Sequence, residues 1–332
     1  MATQIPALAD RAGWTLQHAL SPAGPQAAQI HDLWQFTLWL CVLVGGVVFA
    51  AFAWALWRAQ RGTEDTPPID VAHATEQRGV RVVAAAILVV VVGLFALVTA
   101  SVMTDRALAS LPRANPLTIE LTGHQWWWEA RYEDRDPSRT FSTANELHVP
   151  VGRPVLVKLL SGDVIHSFWV PRLHGKADLI PGRTNTIQFR ADEAGVYRGQ
   201  CAEFCGYQHA FMAFLVVADA PDEYERWAER QRGSAIAPSG DAEKRGQQVF
   251  LQGTCVMCHA VQGTDANARF GPDLTHVGGR QTIAAGTLPN QPQHLAHWIV
   301  DPQAVKPGVN MPPNRLAAAD LDALVAYLTS LK

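Results

Sequence analysis

Hydrophobic positions follow three different rhythms along this chain. Leu33 to Trp57 is an uncharged run of 25 residues, LWQFTLWLCVLVGGVVFAAFAWALW, and Val82 to Met103 is a second of 22. As a helix rising about 1.5 Å per residue, the first would reach roughly 37 Å, enough to cross a hydrocarbon core of about 30 Å with some tilt. Each run is too long for the h-region of a signal peptide. After Pro112 the text breaks into short β-rich runs bounded by Gly, Pro and Asp: Leu117–Leu121, Pro154–Leu160, Thr186–Arg190, Gly195–Arg198 and Ala213–Val217. Regularly spaced short strands of this kind predict a small sandwich or barrel. Helical spacing returns at Asp241–Phe250 and Ala317–Leu331. Between the β-rich and last helical parts, Arg232–Gly240 (RGSAIAPSG) reads as a flexible linker with an r.m.s. span of about 15–18 Å.

Charge sets the orientation. Arg58, Arg61, Arg78 and Arg81 flank the short loop between the two apolar runs, which predicts a cytoplasmic loop. Both termini and everything beyond residue 104 are then exported. Trp34, Trp39, Trp54 and Trp57 cluster toward the ends of the first run, as interfacial anchors do. The whole chain is 48% hydrophobic and only 17% charged, with a formal net charge of −3. That balance excludes a strongly basic nucleic-acid binder, and the abundance of aliphatic and aromatic residues excludes low-complexity disorder. Residues 241–332 carry seven basic and seven acidic residues, which defines no electrostatic docking face.

The five cysteines are too closely spaced for a disulfide framework. Cys41 lies in the first apolar run and has no assigned task. Cys201-Ala-Glu203-Phe-Cys205-Gly-Tyr-Gln-His209-Ala-Phe-Met212 offers two thiolates, an imidazole and a thioether, and Asp163-Val-Ile-His166 supplies a second imidazole upstream. Soft sulfur with imidazole selects copper or zinc over hard cations. Zinc accepts Cys2His2 but has little use for Met212. A single type-1 copper would leave one thiolate surplus. Two thiolates bridging two coppers, each with one His, would use every group, with Met212 and a backbone carbonyl completing the pair.

This stretch resembles the binuclear copper motif of the subunit II family of haem-copper cytochrome c oxidases. The resemblance implies a cupredoxin sandwich in which His166, Cys201, Cys205, His209 and Met212 are copper ligands and Glu203 contributes its main-chain carbonyl. It also implies that the Glu203 side chain faces a magnesium shared with subunit I. Gly123-His-Gln-Trp126-Trp127-Trp128 matches the family's aromatic stretch, in which Trp126 is the surface residue where electrons enter. On a strand Trp126 and Trp128 would share one face and Trp127 take the other; sandwich-core filling is the competing role for Trp127 and Trp128. Glu76 matches loosely a carboxylate that some members place at a proton-channel entrance; a solvated loop residue is the simpler reading. Quinol-oxidizing homologues share this architecture but lack the copper ligands, so the donor is expected to be a cytochrome.

Cys255-Val-Met-Cys258-His259 is the C-x-x-C-H pattern of covalent c-type haem attachment, in which two thioethers hold the vinyl groups and the adjacent His coordinates the iron. No second Cys pair in this part completes a zinc site. The only later methionine, Met311 in Val-Asn-Met311-Pro-Pro, is the expected sixth ligand, with His276, His294 and His297 as alternatives. Gly271-Pro272-Asp-Leu and the Met311 loop resemble class I cytochromes c. That resemblance implies a Pro272 carbonyl orienting His259 and a terminal helix packed on residues 243–250 with Tyr327 near Gly246. Arg280 and Trp298 are candidates either for haem propionate contacts or for plain surface roles.

The expected whole is a multidomain membrane protein. An exported segment (1–32) leads into a two-helix hairpin (33–103). An all-β cupredoxin domain (104–231), the linker (232–240) and an all-α cytochrome c domain (241–332) follow. It resembles subunit II of caa-type oxidases. The expected partners are oxidase subunits I and III, a cytochrome c donor and the lipid bilayer of a bacterial-type inner membrane, and no nucleic acid. Two other classes fit parts of the chain: an electron carrier serving a copper reductase such as nitrous oxide reductase, and a copper-binding or assembly module.

Overall fold

A computed structural model describes residues 16–58, 73–112 and 114–332, and divides the chain into two compact units, Ala28–Leu111 in one and the remaining described residues in the other. The first unit is a pair of helices, α1 (Pro25–Arg58, its first turn belonging to the other unit) and α2 (His73–Ser110). Both are long and apolar enough to cross a membrane, and no residue of their apolar windows is buried within the protein. A helix apolar on all sides and left uncovered requires a lipid-like surround. The threonine hydroxyls inside the apolar runs are returned to the backbone, Thr37 Oγ1 donating to Leu33 O (2.9 Å) and Thr99 Oγ1 to Phe95 O (2.8 Å). Both helices extend past the uncharged cores because good helix formers continue on either side. Glu76, read from sequence as a loop residue, lies in the first turn of α2, where a carboxylate complements the helix dipole. Arg61 lies outside the described residues.

The second unit opens with a ten-stranded sandwich. Its strands are β1 (Leu117–His124), β2 (Trp127–Glu133), β3 (Phe141–Ala144), β4 (Glu146–Pro150), β5 (Val155–Ser161), β6 (His166–Trp169), β7 (Ala177–Leu179), β8 (Asn185–Phe189), β9 (Gly195–Cys201) and β10 (Ala213–Asp219). One sheet runs β3-β2-β1-β5-β8 and the other β4-β10-β9-β6-β7. Strand β1 pairs parallel to β5, and β10 parallel to β4; the other pairings are antiparallel. Alternation puts Ile119, Leu121, Trp128, Val157, Leu159, Phe168, Phe189 and Phe214 between the sheets, all fully buried. Residues ahead of α1 also belong here. Ala23 N donates to Arg172 O (2.8 Å), Asp192 N donates to Ala23 O (2.9 Å), and Gln17 Nε2 donates to Gln200 Oε1 (2.6 Å).

Helix α3 (Pro221–Arg232) lays Tyr224, Trp227 and Ala228 against the sandwich. Trp227 stacks on His148 at 4.2 Å, and the same imidazole touches Asp219 Oδ2 (2.6 Å) and Glu146 Oε1 (3.1 Å), joining β4 to β10.

The chain then continues through 233–240 into a helical domain of α4 (Asp241–Gln252), the short β11 (Thr282–Ile283) and β12 (Leu288–Pro289), α5 (Pro292–Val300), α6 (Pro302–Val305) and α7 (Ala318–Ser330). The linker is not free of its neighbours as its composition predicts. Ala235 N donates to Gln262 O (2.9 Å), His276 Nε2 lies 3.1 Å from Gly233 O, and Ala235 packs on the helical core. Helices α4 and α7 meet at Gly246. A Cβ there would stand 2.0 Å from Ala323 O and 2.7 Å from Tyr327 Cβ, as the expected helix pairing requires.

Gly246→Val should therefore destabilise the helical domain by about 3 kcal/mol through overpacking, read as a lower denaturant midpoint of that domain's transition. Burial works against a charged His148, but Asp219 and Glu146 outweigh it and raise its pKa. A raised folded pKa gives stability that is full below the ring's unfolded pKa of about 6.5 and is lost as pH rises through the folded value. His148→Gln should abolish that slope in a pH series of denaturation midpoints.

Candidate metal centres

Cys201 is the last residue of β9, and Met212 immediately precedes β10. Cys201 N donates to Met212 O (2.9 Å), so the intervening chain must fold back on itself as a closed loop. Gly206 (φ +109°) supplies a turn disfavoured for other residues, and a 3-10 turn over His209–Phe211 returns the chain to the sheet. His166 opens β6, whose Phe168 pairs with Cys201.

The six sequence-predicted groups converge. Cys201 Sγ and Cys205 Sγ are 3.7 Å apart. Around Cys201 stand His166 Nδ1 (3.9 Å) and Glu203 O (3.2 Å); around Cys205 stand His209 Nδ1 (3.6 Å) and Met212 Sδ (3.8 Å). The ligand atoms of His166, Cys201 and Cys205 all lie within 4.8 Å of one another, and all three residues are buried. His166 Nε2 contacts Asp163 Oδ1 (2.7 Å), leaving Nδ1 turned to sulfur; a carboxylate behind a ligating imidazole fixes its ring in this way. Gly123 makes room for it, because a Cβ there would come within 2.8 Å of His166 Cδ2.

The two thiols share charge unequally. Cys201 is held far below the ordinary thiol range, first by the hydrogen bond from Cys205, with His166 and backbone groups adding to it against burial. Cys205 is pushed up for the complementary reason. Burial also works against a charged His166, but Cys201 and Asp163 raise its pKa. A metal that takes both sulfurs displaces any thiol proton to solvent.

In the helical domain Cys255 and Cys258 lie on a 3-10 turn (Thr254–Met257) and the turn's end, with His259 N bonded to Cys255 O (3.0 Å). His259 Nδ1 donates to Pro272 O (2.7 Å), as the sequence resemblance implies, which leaves Nε2 as the ligating nitrogen. Burial lowers the His259 pKa, with the Pro272 carbonyl opposing it, and so favours the neutral ring that a metal needs. Gly271 admits no side chain, since its Cβ would stand 2.7 Å from His259 Cε1. Of the alternative ligands, buried His276 has both ring nitrogens against backbone carbonyls, Lys332 O and Gly233 O, each at 3.1 Å. His294 Nδ1 lies 3.2 Å from Pro289 O. Met311 sits on the loop after α6, its carbonyl accepting from Gln303 Nε2 (3.2 Å). Trp298 packs on the domain core.

Residues 134–219 match the family model for the cytochrome c oxidase subunit II periplasmic domain, and residues 243–332 match the cytochrome c model. The chain is 39% identical over 95% of its length to cytochrome c oxidase subunit 2 of Alkalihalophilus pseudofirmus, covering 90% of that protein. The chain belongs to the cytochrome c oxidase subunit II family. Its counterpart in Bacillus sp. strain PS3 is 32% identical over 83% of this chain and 80% of that one. The periplasmic domain of subunit II of cytochrome oxidase from Bradyrhizobium japonicum is similar over 37% of this chain and 96% of its own, at 34% identity and a TM-score of 0.34.

A subunit II of this form, with a cytochrome c domain fused behind the sandwich, implies binuclear copper and haem c, and the residues present fit both. The sulfur–imidazole–thioether set suits copper. On the haem side Arg280 carries a buried Nε with no hydrogen-bond partner, while its other end donates to Asp273 O (2.5 Å). An unpaired buried guanidinium N–H is matched to an anionic group such as a propionate.

Trp126 departs from its expected setting. It lies in the turn between β1 and β2, not on a strand, and is 8% exposed. Its Nε1 and the Gln125 Nε2 both donate to Cys205 O, at 3.0 and 2.7 Å. The ring packs with the sandwich core, and the helical domain reaches its main chain, where Lys306 Nζ donates to Trp126 O (3.0 Å). Burial pushes the pKa of Lys306 down to about 7, with the Cys205 sulfur opposing. Nothing in the sequence around Lys306 marks it, since lysine is by default a surface residue. Trp128 fills the core, and Trp127 stacks on His124 at 4.5 Å.

Gly123→Ala should displace His166 and lower copper content at least severalfold, measured by metal analysis of purified protein, with haem content unchanged.

Proposed function

We propose that this chain is the electron-accepting subunit of an aerobic respiratory terminal oxidase. A cytochrome c delivers electrons to the haem held by Cys255, Cys258, His259 and Met311. They pass to the copper pair held by His166, Cys201, Glu203, Cys205, His209 and Met212, and on to subunit I, where oxygen is reduced to water with proton translocation. The observation that carries this reading is the convergence of all six copper-donor groups in the same compact unit that bears the C-x-x-C-H turn. Bound there, the two groups supply reversible one-electron chemistry with no position left open for substrate. The chain's own residues set the conditions for it. Asp163 and Pro272 fix the ligating imidazoles, and burial of Cys201 and Cys205 excludes water.

The rim of the copper loop fits a protein partner. Phe204 is 75% exposed and Tyr207 87%, large rings left uncovered beside Glu203. In this reading that face meets subunit I, with the Glu203 carboxylate sharing a magnesium there, and subunit III completes the membrane complex. Packing of the segment before α1 against the sandwich supports placing the N-terminal segment and both redox domains on the outer, periplasmic side of a bacterial-type inner membrane. The divisions 1–32, 33–103, 104–231, 232–240 and 241–332 are the corresponding functional segments. A carrier for a copper reductase would not need the two apolar helices, and a copper-assembly module would not need covalent haem.

The complex purified in mild detergent should consume oxygen with reduced cytochrome c and show EPR hyperfine structure spread over two coppers. Met212→Leu and His259→Ala should each lower oxygen uptake at least tenfold; uptake equal to wild type in either would refute the relay.

A further inference from the structure

Lys306 follows α6 in the helical domain, yet its side chain ends among atoms of the copper domain. It is 1% exposed. Its ammonium has three N–H donors and no acceptor, and three carbonyls receive them: Phe211 O at 2.9 Å, Trp126 O at 3.0 Å and Ala284 O at 3.2 Å. The first two belong to the copper domain and the third to its own. A buried ammonium is costly unless every donor is satisfied. Here that condition is met only while the two domains are in contact.

The contact is prepared from both sides. Ala284, Ala285 and Gly286 all have positive φ (+53°, +57° and +73°), a conformation unfavourable for the two alanines. It aims successive carbonyls outward: Ala284 O at Lys306 Nζ, and Ala285 O at the amide of Ala213, which follows Met212 (3.0 Å). A Cβ on Gly286 would stand 3.0 Å from Ala213 Cβ, so the surfaces touch at van der Waals distance. On the other flank, Gln208 Nε2 donates to Pro307 O (2.6 Å) and Asn310 Nδ2 donates to Gln125 O (3.3 Å). Asn310 precedes Met311, and Gln125 donates to Cys205 O. The loop of the candidate iron ligand is thereby joined to the carbonyl of a candidate copper ligand through one intervening residue.

We propose that Lys306 is the positioning residue for transfer between the two centres: it locks the haem domain onto the copper domain in one pose. The inference rests on the relay reading above. What it positions is the passage of a single electron, haem oxidised and copper pair reduced by one, with no atom transferred. Three carbonyls facing one tetrahedral ammonium also make the pose selective. Methionine brings no donor, and arginine presents a planar fork too broad for the same cage.

The test uses the purified complete oxidase. In wild type, Lys306 should be acetylated by an N-hydroxysuccinimide ester at least tenfold more slowly than exposed Lys244, by mass spectrometry of peptides. Equal rates would overturn the latch, and this measurement needs no variant to fold. In Lys306→Met, amides of residues 204–216 and 282–290 should exchange hydrogen at least tenfold faster, and haem-to-copper transfer after photoreduction should slow at least tenfold, with haem and copper absorption unchanged. Lys306→Arg should give a partial loss of both, and Lys244→Met should match wild type. Unchanged exchange in Lys306→Met would overturn the lock, and faster exchange at an unchanged transfer rate would overturn the positioning role. Failure of wild type to pass electrons from haem to copper would instead refute the relay, leaving the labelling result to report on the latch alone.

Discussion

The hydrogen bond from Cys201 N to Met212 O holds the copper loop closed, and much else follows from it. It ends the β9–β10 ladder at the place where ten residues leave the sheet and return. Because the two strands are registered from Ala218↔Gly195 to Ala213↔Gln200, the loop's ends are fixed by an extended backbone ladder, not by the loop itself. The ligand atoms are then placed by short excursions from a rigid base. A scaffold of this kind suits one-electron chemistry, where a site that barely rearranges between oxidation states responds fastest.

Both centres also rely on main-chain carbonyls more than on charged side chains. Glu203 O faces the thiolates, Cys205 O gathers Gln125 and Trp126, and Pro272 O fixes His259. A carbonyl brings a dipole without a full charge, and its position is set by backbone geometry. The carboxylate contacts sit further out, at Asp163 behind His166 and at Glu146 and Asp219 around His148. Charge is kept near the sites but outside the ligand ring.

The features legible in the sequence were those in which side-chain type alone carries the signal. Two long uncharged runs, a dense sulfur–imidazole cluster and a C-x-x-C-H pattern need no tertiary information. Five of the ten strands were visible as apolar runs, while β2 (WWEARYE), β3, β4, β6 and β7 were not. Edge strands and charge-bearing strands are held by backbone ladders that tolerate almost any sequence, as Glu129↔Ala144 and Arg131↔Ser142 illustrate. The ligand set was legible because its residues are close in sequence; the contacts of Lys306, 180 and 95 positions away from Trp126 and Phe211, were not. For the same reason the linker's Gly and Ser suggested freedom, while its hydrogen bonds to Gln262 and His276 lie outside the linker.

The residues ahead of α1 bear on how the protein is made. Gln17 and Gln200 are in contact across 183 positions of sequence, and Ala23 is part of the sandwich core. The earliest described residues to leave the ribosome thus complete a domain whose last strand is synthesised some 200 residues later. The sandwich therefore cannot reach its full contact set until its two most distant parts, Gln17 and the strand that carries Gln200, have met. Loop closure over such a distance is slow compared with local helix formation. Completion of the sandwich therefore comes late, after all of the chain between these two parts has been made.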